Sequence, residues 1–349
     1  MSREEFESLI AFTVPMAALY FLISLGGWLW FTLFGKYLIM DLGFSGEELG
    51  FVIMAYNLFF AISTFPAGIL SDTIESRKIL FSGIAICSLG VLIMAFSLSA
   101  VTMAIACAIV GIGEGLSFTS ITVHTIKSGG VRRIGTLYGF VLWVGSLGEI
   151  LGSIMSGYVK EYLGSQSLFL LSSAISVSSL PLLALVKERP RRRRSIEPLT
   201  NPFRLLRSHN PLRLMTLGLV FHTIGYSMLF PFISVHAGLI GLADREIGII
   251  NFAIFSSAFL TTLPWGILTD RIGSKSILVN HVFLSSISWI TYALSGDLSS
   301  IILAAAFIGV VNSMDLPSRR RLLAETSGKE GIGTLIGTLE FFTMLSSIP

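Results

Sequence analysis

Residues 262 to 278 read TLPWGILTDRIGSKSIL, and residues 64 to 80 read TFPAGILSDTIESRKIL. The two segments agree at ten of seventeen positions without a gap and stand 198 residues apart. Each is a charged interruption between long apolar runs. The same offset carries Gly27 to Gly225, Gly43 to Gly241, Gly50 to Gly248, Gly111 to Gly309, and the IGTL beginning at Ile134 to the IGTL beginning at Ile332. Self-similarity at one fixed spacing marks a structural unit built twice, so the chain reads as a tandem duplication.

Composition says what the unit is made of. Of 349 residues, 53% are apolar and 13% charged, about half of the roughly 25% charge of a soluble protein. Apolar runs long enough to cross a bilayer recur along the chain, for example over 52–70 and 79–113, and such runs are the signal for transmembrane helices. Cutting at the polar breaks gives spans near 13–39, 47–70, 78–97, 100–123, 134–159 and 166–186. A second set follows near 211–236, 245–268, 276–295, 298–317 and 332–349. Six helices are thus visible in the first unit and five in the second. An even number per unit returns the second copy to the same side, so the halves are parallel repeats about an axis along the membrane normal.

The basic residues set the expected orientation. With the N-terminus in the cytoplasm, 21 of the 24 lysines and arginines fall on the inner side, leaving Lys36, Lys160 and Arg245 outside; lysine and arginine bias orients membrane proteins. The segment 187–210, with its run of four arginines, reads as a cytoplasmic linker between a first bundle over 1–186 and a second over 211–349, suited to anionic lipid rather than to nucleic acid. The start has two acids in place of a basic leader region, so no removable signal peptide is expected. Cys87 and Cys107 sit inside apolar runs as small packing residues. Projecting the first unit's end by 198 places the second unit's end beyond Pro349, so a twelfth helix is expected that this sequence does not include.

Two six-helix halves, a basic central loop and G-x-L-x-D-R-x-G-x-K between the eighth and ninth helices resemble the major facilitator superfamily of secondary transporters. The resemblance rests on Gly266, Leu268, Asp270, Arg271, Gly273 and Lys275, with a decayed copy at Gly68, Leu70, Asp72, Arg77 and Lys78. It implies an all-α, multi-pass protein of the cell membrane that moves a small molecule, with no cofactor and no metal. It further implies that Asp72 caps the start of the eleventh helix near 331–334 and Asp270 that of the fifth near 133–136. Both contacts would cross between halves and act as gates. An acid at a helix C-terminus is otherwise disfavoured by about 0.3–1 kcal/mol, which gives these aspartates a reason to seek such partners. The sequence also departs from the family. Glu75 and Ser76 replace the usual glycine and basic residue, which weakens the first gate. Cys107 stands where drug/proton antiporters of the family carry an arginine before Gly111, and Glu149 follows Gly148 where they carry proline.

Ionisable groups inside a membrane are costly and therefore functional candidates. By depth these are Glu114, Glu149, Glu340 and Asp315. The offset pairs Glu114 with Asn312 and Trp28 with Tyr226, and His222 lies one turn from Tyr226. Burial disfavours a carboxylate's charge, so an acid here can carry a proton at neutral pH; Glu114 is the first candidate and Glu149 the second. The competing account of each is a neutral acid hydrogen-bonded beside close-packing glycines. Trp28 and Tyr226 suit either an apolar substrate or ordinary packing, and an i,i+4 ion pair is the simpler account of Asp315 and Arg319. No arginine is expected at mid-span, which leans towards neutral or cationic lipophiles.

Resemblance to multidrug-type members of the family implies proton-coupled efflux by alternating access, with proton symport of a sugar or organic acid as the alternative and a non-transporting fragment or sensor as a third. An enzyme would need a catalytic motif such as H-E-x-x-H, G-x-S-x-G or G-x-x-x-x-G-K-[ST], and the sequence has none.

Overall fold

The computed structural model describes residues 3–128, 134–187, 201–327 and 332–348, and among these it contains helices and no strand. The first half comprises α1 (Arg3–Phe31), α2 (Gly46–Thr73), α3 (Ser76–Met94), α4 (Ala100–Ser128), α5 (Ile134–Leu163) and α6 (Ser165–Ser178). The second comprises α7 (Asn210–Leu229), α8 (Asp244–Ile272), α9 (Ser274–Ala293), α10 (Leu298–Asn312) and α11 (Ile332–Ser346). Several helices continue past a break: α1 through Phe34–Lys36 and Tyr37–Asp41, α6 through Leu180–Leu185, α7 through Ile233–Leu239, and α10 through a second limb, Asp315–Ser327.

The eleven expected helices are therefore present. Nine stretches among the described residues are long and apolar enough to cross a membrane; α9 and α11 are not among them. Serines, Lys275, Asn280 and His281 dilute α9. The 15 residues of α11 reach about 22 Å at about 1.5 Å each, short of a core of about 30 Å. Elsewhere Phe221, Leu303 and Leu294 are exposed, as the lipid-facing side of a membrane bundle requires.

The repeat survives in the packing. A Cβ at Gly111 would strike the Tyr56 carbonyl and lie 2.9 Å from the Phe60 amide; one at Gly309 would strike the Ile254 carbonyl. Tyr56 and Ile254 are again 198 apart, so α4 lies on α2 as α10 lies on α8, with only glycine allowing the approach. Lys36 donates its backbone N–H to Ser234 Oγ at 3.1 Å, and these two residues are also 198 apart. A contact between equivalent residues places the extensions of α1 and α7 on the pseudo-twofold axis.

The two motif turns differ for a local reason. Gly273 joins α8 to α9 at φ +96°, a region that favours glycine. Its equivalent is Glu75, which stays at φ −58°, so the first copy turns by another route. Of the inter-half linker, residues 188–200 lie outside the described residues. Its end forms a short helix, Pro202–Ser208, capped where Asn201 Oδ1 accepts from the Phe203 N–H at 2.9 Å. The Phe203 ring meets Phe342 edge-on at 5.1 Å, which ties the linker to α11.

Candidate functional site

A cavity of about 480 Å³ lies between the halves. Trp28, Glu114, Glu149, His222, Tyr226, Asn312 and Glu340 all line it, so the pairs Glu114/Asn312 and Trp28/Tyr226 face one space across the axis. The first-half wall is acidic and aromatic. The Tyr56 hydroxyl donates to Glu114 Oε2 in a short hydrogen bond, and the Trp28 indole is within hydrogen-bonding reach of Glu149. Trp28 packs on Phe255 at 4.3 Å between ring centroids, so the aromatic lining is continuous across the halves.

The second-half wall is built from ion pairs. Arg320 Nη2 lies 2.7 Å from Glu340 Oε1, with both side chains 2% exposed. Arg319 is held by the Asp315 carboxylate and reaches within 4.0 Å of Glu340. The expected i,i+4 pair of Asp315 and Arg319 is thus present, but in the cavity wall. This corrects the expectation of a cavity without arginine: the cavity extends past the break in α10, and the second limb turns Arg319 into it. The Arg320 guanidinium lies 5.7 Å from the centre of the Phe118 ring on α4, a cation–π contact between halves.

Among the residues of this site that sequence reasoning passed over are Tyr56, Phe118, Phe255, His281 and Arg319 as wall residues, and Arg320 beside them. His281 Nε2 lies 3.0 Å from His222 Nε2. The signal that would have found His281, Arg319 and Arg320 is the one used for the acids, an ionisable side chain within a membrane span.

At the end that carries the two motif turns, Asp72 Oδ2 accepts from the Thr334 N–H at 3.0 Å and from its hydroxyl at 2.9 Å. This is the cap on α11 that the resemblance implies. Lys127 Nζ, from α4, lies 2.7 Å from Asp72 Oδ1, so a basic residue outside the motif reinforces the decayed copy. A Cβ at Gly68 would meet the Gly333 carbonyl oxygen, and one at Gly333 would lie 2.7 Å from the Gly68 oxygen. Backbone approach of this kind lets Asp72 reach the start of α11. In the second copy, Gly273 makes the turn described above, while among the described residues no atom lies within 4 Å of where a Cβ on Gly266 would stand. Arg271 and Lys275 are exposed at the turn, and of the exposed Arg77 and Lys78, Lys78 pairs with Glu75 at 3.3 Å. The Asp270 side chain and residues 129–133 lie outside the described residues, and with them the expected contact to α5.

At the opposite end, Lys36 Nζ lies 2.7 Å from Asp244 Oδ1, and Lys160 Nζ lies 2.6 Å from Asp41 Oδ2 and 3.4 Å from Asp244 Oδ2. Two of the three basic residues assigned by charge to the outer face thus tie the halves together there. The halves therefore touch at both ends of the cavity.

A family model described as the Major Facilitator Superfamily matches residues 16–243 and 215–348. The chain belongs to this superfamily. Among curated members it is 24% identical over 294 residues to the MFS-type transporter MJ1317 of Methanocaldococcus jannaschii, covering 81% of this chain and 72% of that one. It is 25% identical over 299 residues to the cephamycin export protein CmcT of Amycolatopsis lactamdurans, covering 84% of this chain and 55% of CmcT. Among solved structures it resembles the nucleoside transporter NupG, with a TM-score of 0.76 at 15% identity over 97% of this chain and 89% of that one. The human organic anion transporter MFSD10 gives a TM-score of 0.72 at 16% identity, covering 99% and 92%. At these identities the two structures show the fold. Superfamily membership makes the chain a multi-pass membrane transporter.

Proposed function

We propose that the protein is a proton-coupled exporter of neutral or cationic lipophilic molecules, working by alternating access. The observation that carries this reading is the first-half wall, where Glu114 and Glu149 face a common cavity among tyrosine, tryptophan and phenylalanine rings. Aromatic faces bind apolar bodies and cations, and a buried acid can exchange a proton for a positive charge. The contacts at the two ends supply the gates: Asp72 with Thr334 at the motif end, and Lys36 and Lys160 with Asp244 at the other. With the motif end in the cytoplasm, as the lysine and arginine bias indicates, the first would part for inward opening and the second for outward opening. The relative named as exporting cephamycin supports efflux as the direction.

A second reading, proton-driven uptake of an organic acid, is favoured by Arg319 in the cavity wall. One experiment tests both. Purified protein in proteoliposomes receives an imposed pH gradient and either the lipophilic cation ethidium or a panel of carboxylic acids. Gradient-driven ethidium exchange in the direction opposite to protons, lost in Glu114→Gln, is expected; acid movement in the same direction as protons supports the alternative, and movement indifferent to the gradient sinks both.

A further inference from the structure

We propose that His222 and His281 form a second proton site, separate from Glu114 and Glu149, that takes up one proton per pair of rings and sits on the break in α10. The argument begins with hydrogen count. His281 Nδ1 lies 2.9 Å from the Val311 carbonyl oxygen, and a carbonyl only accepts, so this nitrogen carries a hydrogen. A neutral imidazole has one N–H and one bare nitrogen, so His281 Nε2 is bare and accepts. His222 Nε2, 3.0 Å away, is then the donor, and its own Nδ1 is bare. The neutral pair therefore holds two ring hydrogens in a defined order, with one basic nitrogen at the end of the chain. Adding a proton there makes one imidazolium whose charge is shared through the N–H···N bond. A second added proton would have to break that bond and set two cations side by side, so the pair titrates as a unit.

Both rings line the cavity. The charged groups that act on His222 besides its partner ring are Asp315 and Arg319; Tyr226 is the other titratable side chain beside it, its ring 6.3 Å away, and Glu340 stands behind Arg319 at 4.0 Å. In the neutral pair Asp315 is bound, among the described residues, by Arg319. A proton on the pair offers Asp315 a second cation and loosens its hold on Arg319, which faces the cavity.

Position gives the proton leverage. The Val311 carbonyl accepts from Met314 N–H at 3.1 Å where α10 breaks, and His281 is its second donor. The neighbouring Val310 carbonyl takes the Trp265 indole N–H at 3.1 Å. Side chains thus satisfy the carbonyls at the interruption, as a broken membrane helix requires. His222 on α7, His281 on α9 and the break in α10 are one hydrogen-bonded chain, so a proton entering from the cavity reaches the hinge of the limb that carries Asp315, Arg319 and Arg320. Use of this site in transport rests on the proton-coupled reading above; proton binding itself does not.

The test needs no substrate. Full-length protein in lipid nanodiscs, ring-labelled with ¹⁵N at its five histidines, is followed by solid-state NMR across pH. The expected spectrum shows a coupling through one hydrogen between two Nε2 nuclei, one protonated and one bare. The pair should gain one proton in a single step. His222→Gln and His281→Gln should each abolish the coupling while leaving the signals of His124, His209 and His236 in place. Two rings that titrate independently, or a native protein without the N–H···N coupling, would overturn the proposal; because the native spectrum alone decides this, misfolding of a variant does not rescue it. A native protein that shows the coupling but no gradient-driven transport would instead count against the proposed function.

Discussion

At the scale of single residues, the site divides into the acids proposed to change charge, Glu114 and Glu149, and ion pairs that hold their charges. Glu340 and Arg320 belong to the second kind, since both are almost fully removed from solvent and lie 2.7 Å apart. Removing one partner of such a pair leaves an uncompensated buried charge and costs about 3–5 kcal/mol, whereas replacing both with apolar residues of similar volume is often neutral. Arg320→Met should therefore lower the midpoint of thermal unfolding in detergent markedly, and Arg320→Met combined with Glu340→Leu should recover most of the loss. Equal loss in the single and double variants would show that the two residues are not a pair.

Legibility from sequence also divides at this scale. The 198-residue offset exposed Glu114/Asn312 and Trp28/Tyr226 because both members of each pair keep a polar or aromatic side chain. It was silent on His281 and Arg320, whose equivalents are Gly83 and Thr122, and on Tyr56, whose equivalent is Ile254. The ionisable side chains that the second half adds to the site lie where the copies have diverged, and a symmetry argument does not reach there. Asp315 and Arg319 were legible as a pair, but their place in the cavity follows from the break in α10; Pro317, which has no N–H to give the Ser313 carbonyl four residues earlier, is the signal for that break that the sequence reading left unused.

At the scale of helices, the motif end depends on α2 and α11 meeting backbone to backbone. The capping of α11 by Asp72 and the ion pair to Lys127 both vanish in Asp72→Asn or weaken with it. With Cys87 and Cys107 replaced, a cysteine at Thr338, now buried between these helices, should react with maleimide faster in Asp72→Asn than in the parent. An unchanged rate would mean that the cap does not hold this end shut. Gly68→Val should have the larger effect, because its side chain meets the Gly333 carbonyl and backbone cannot move aside as a flexible side chain can.

The same contact shows what sequence could foresee about elements. The motif was legible in the residues, and an acid at the end of a helix needs compensation, but the partner near 331–334 came from the family resemblance. Lys127 as the reinforcing cation was not, since α4 brings it to Asp72 only once α2 and α4 are packed. The altered turn at Glu75 was legible as a departure, and its consequence is local: the turn changes conformation while Asp72 keeps its place.

At the scale of the whole molecule, two bundles related by a pseudo-twofold axis enclose one cavity and touch at both ends. Opening one end while keeping the other shut requires the halves to rock about the cavity. The charges at the end opposite the motifs should bias that motion. Exchanging Lys36 and Asp244, as Lys36→Asp with Asp244→Lys, should restore the transport that either single change reduces, and failure of the exchange to do so would place their effect elsewhere.

The central claim is alternating access, and spin-label distances test it most directly. One pair of labels at Thr73 and Lys275 reports the motif end, and another at Glu47 and Ser299 reports the opposite end, all four positions being exposed. Pulsed electron–electron resonance at high and low pH should show the two distances moving in opposite senses, one end widening as the other narrows. Distances that stay fixed, or that widen together, would contradict the account.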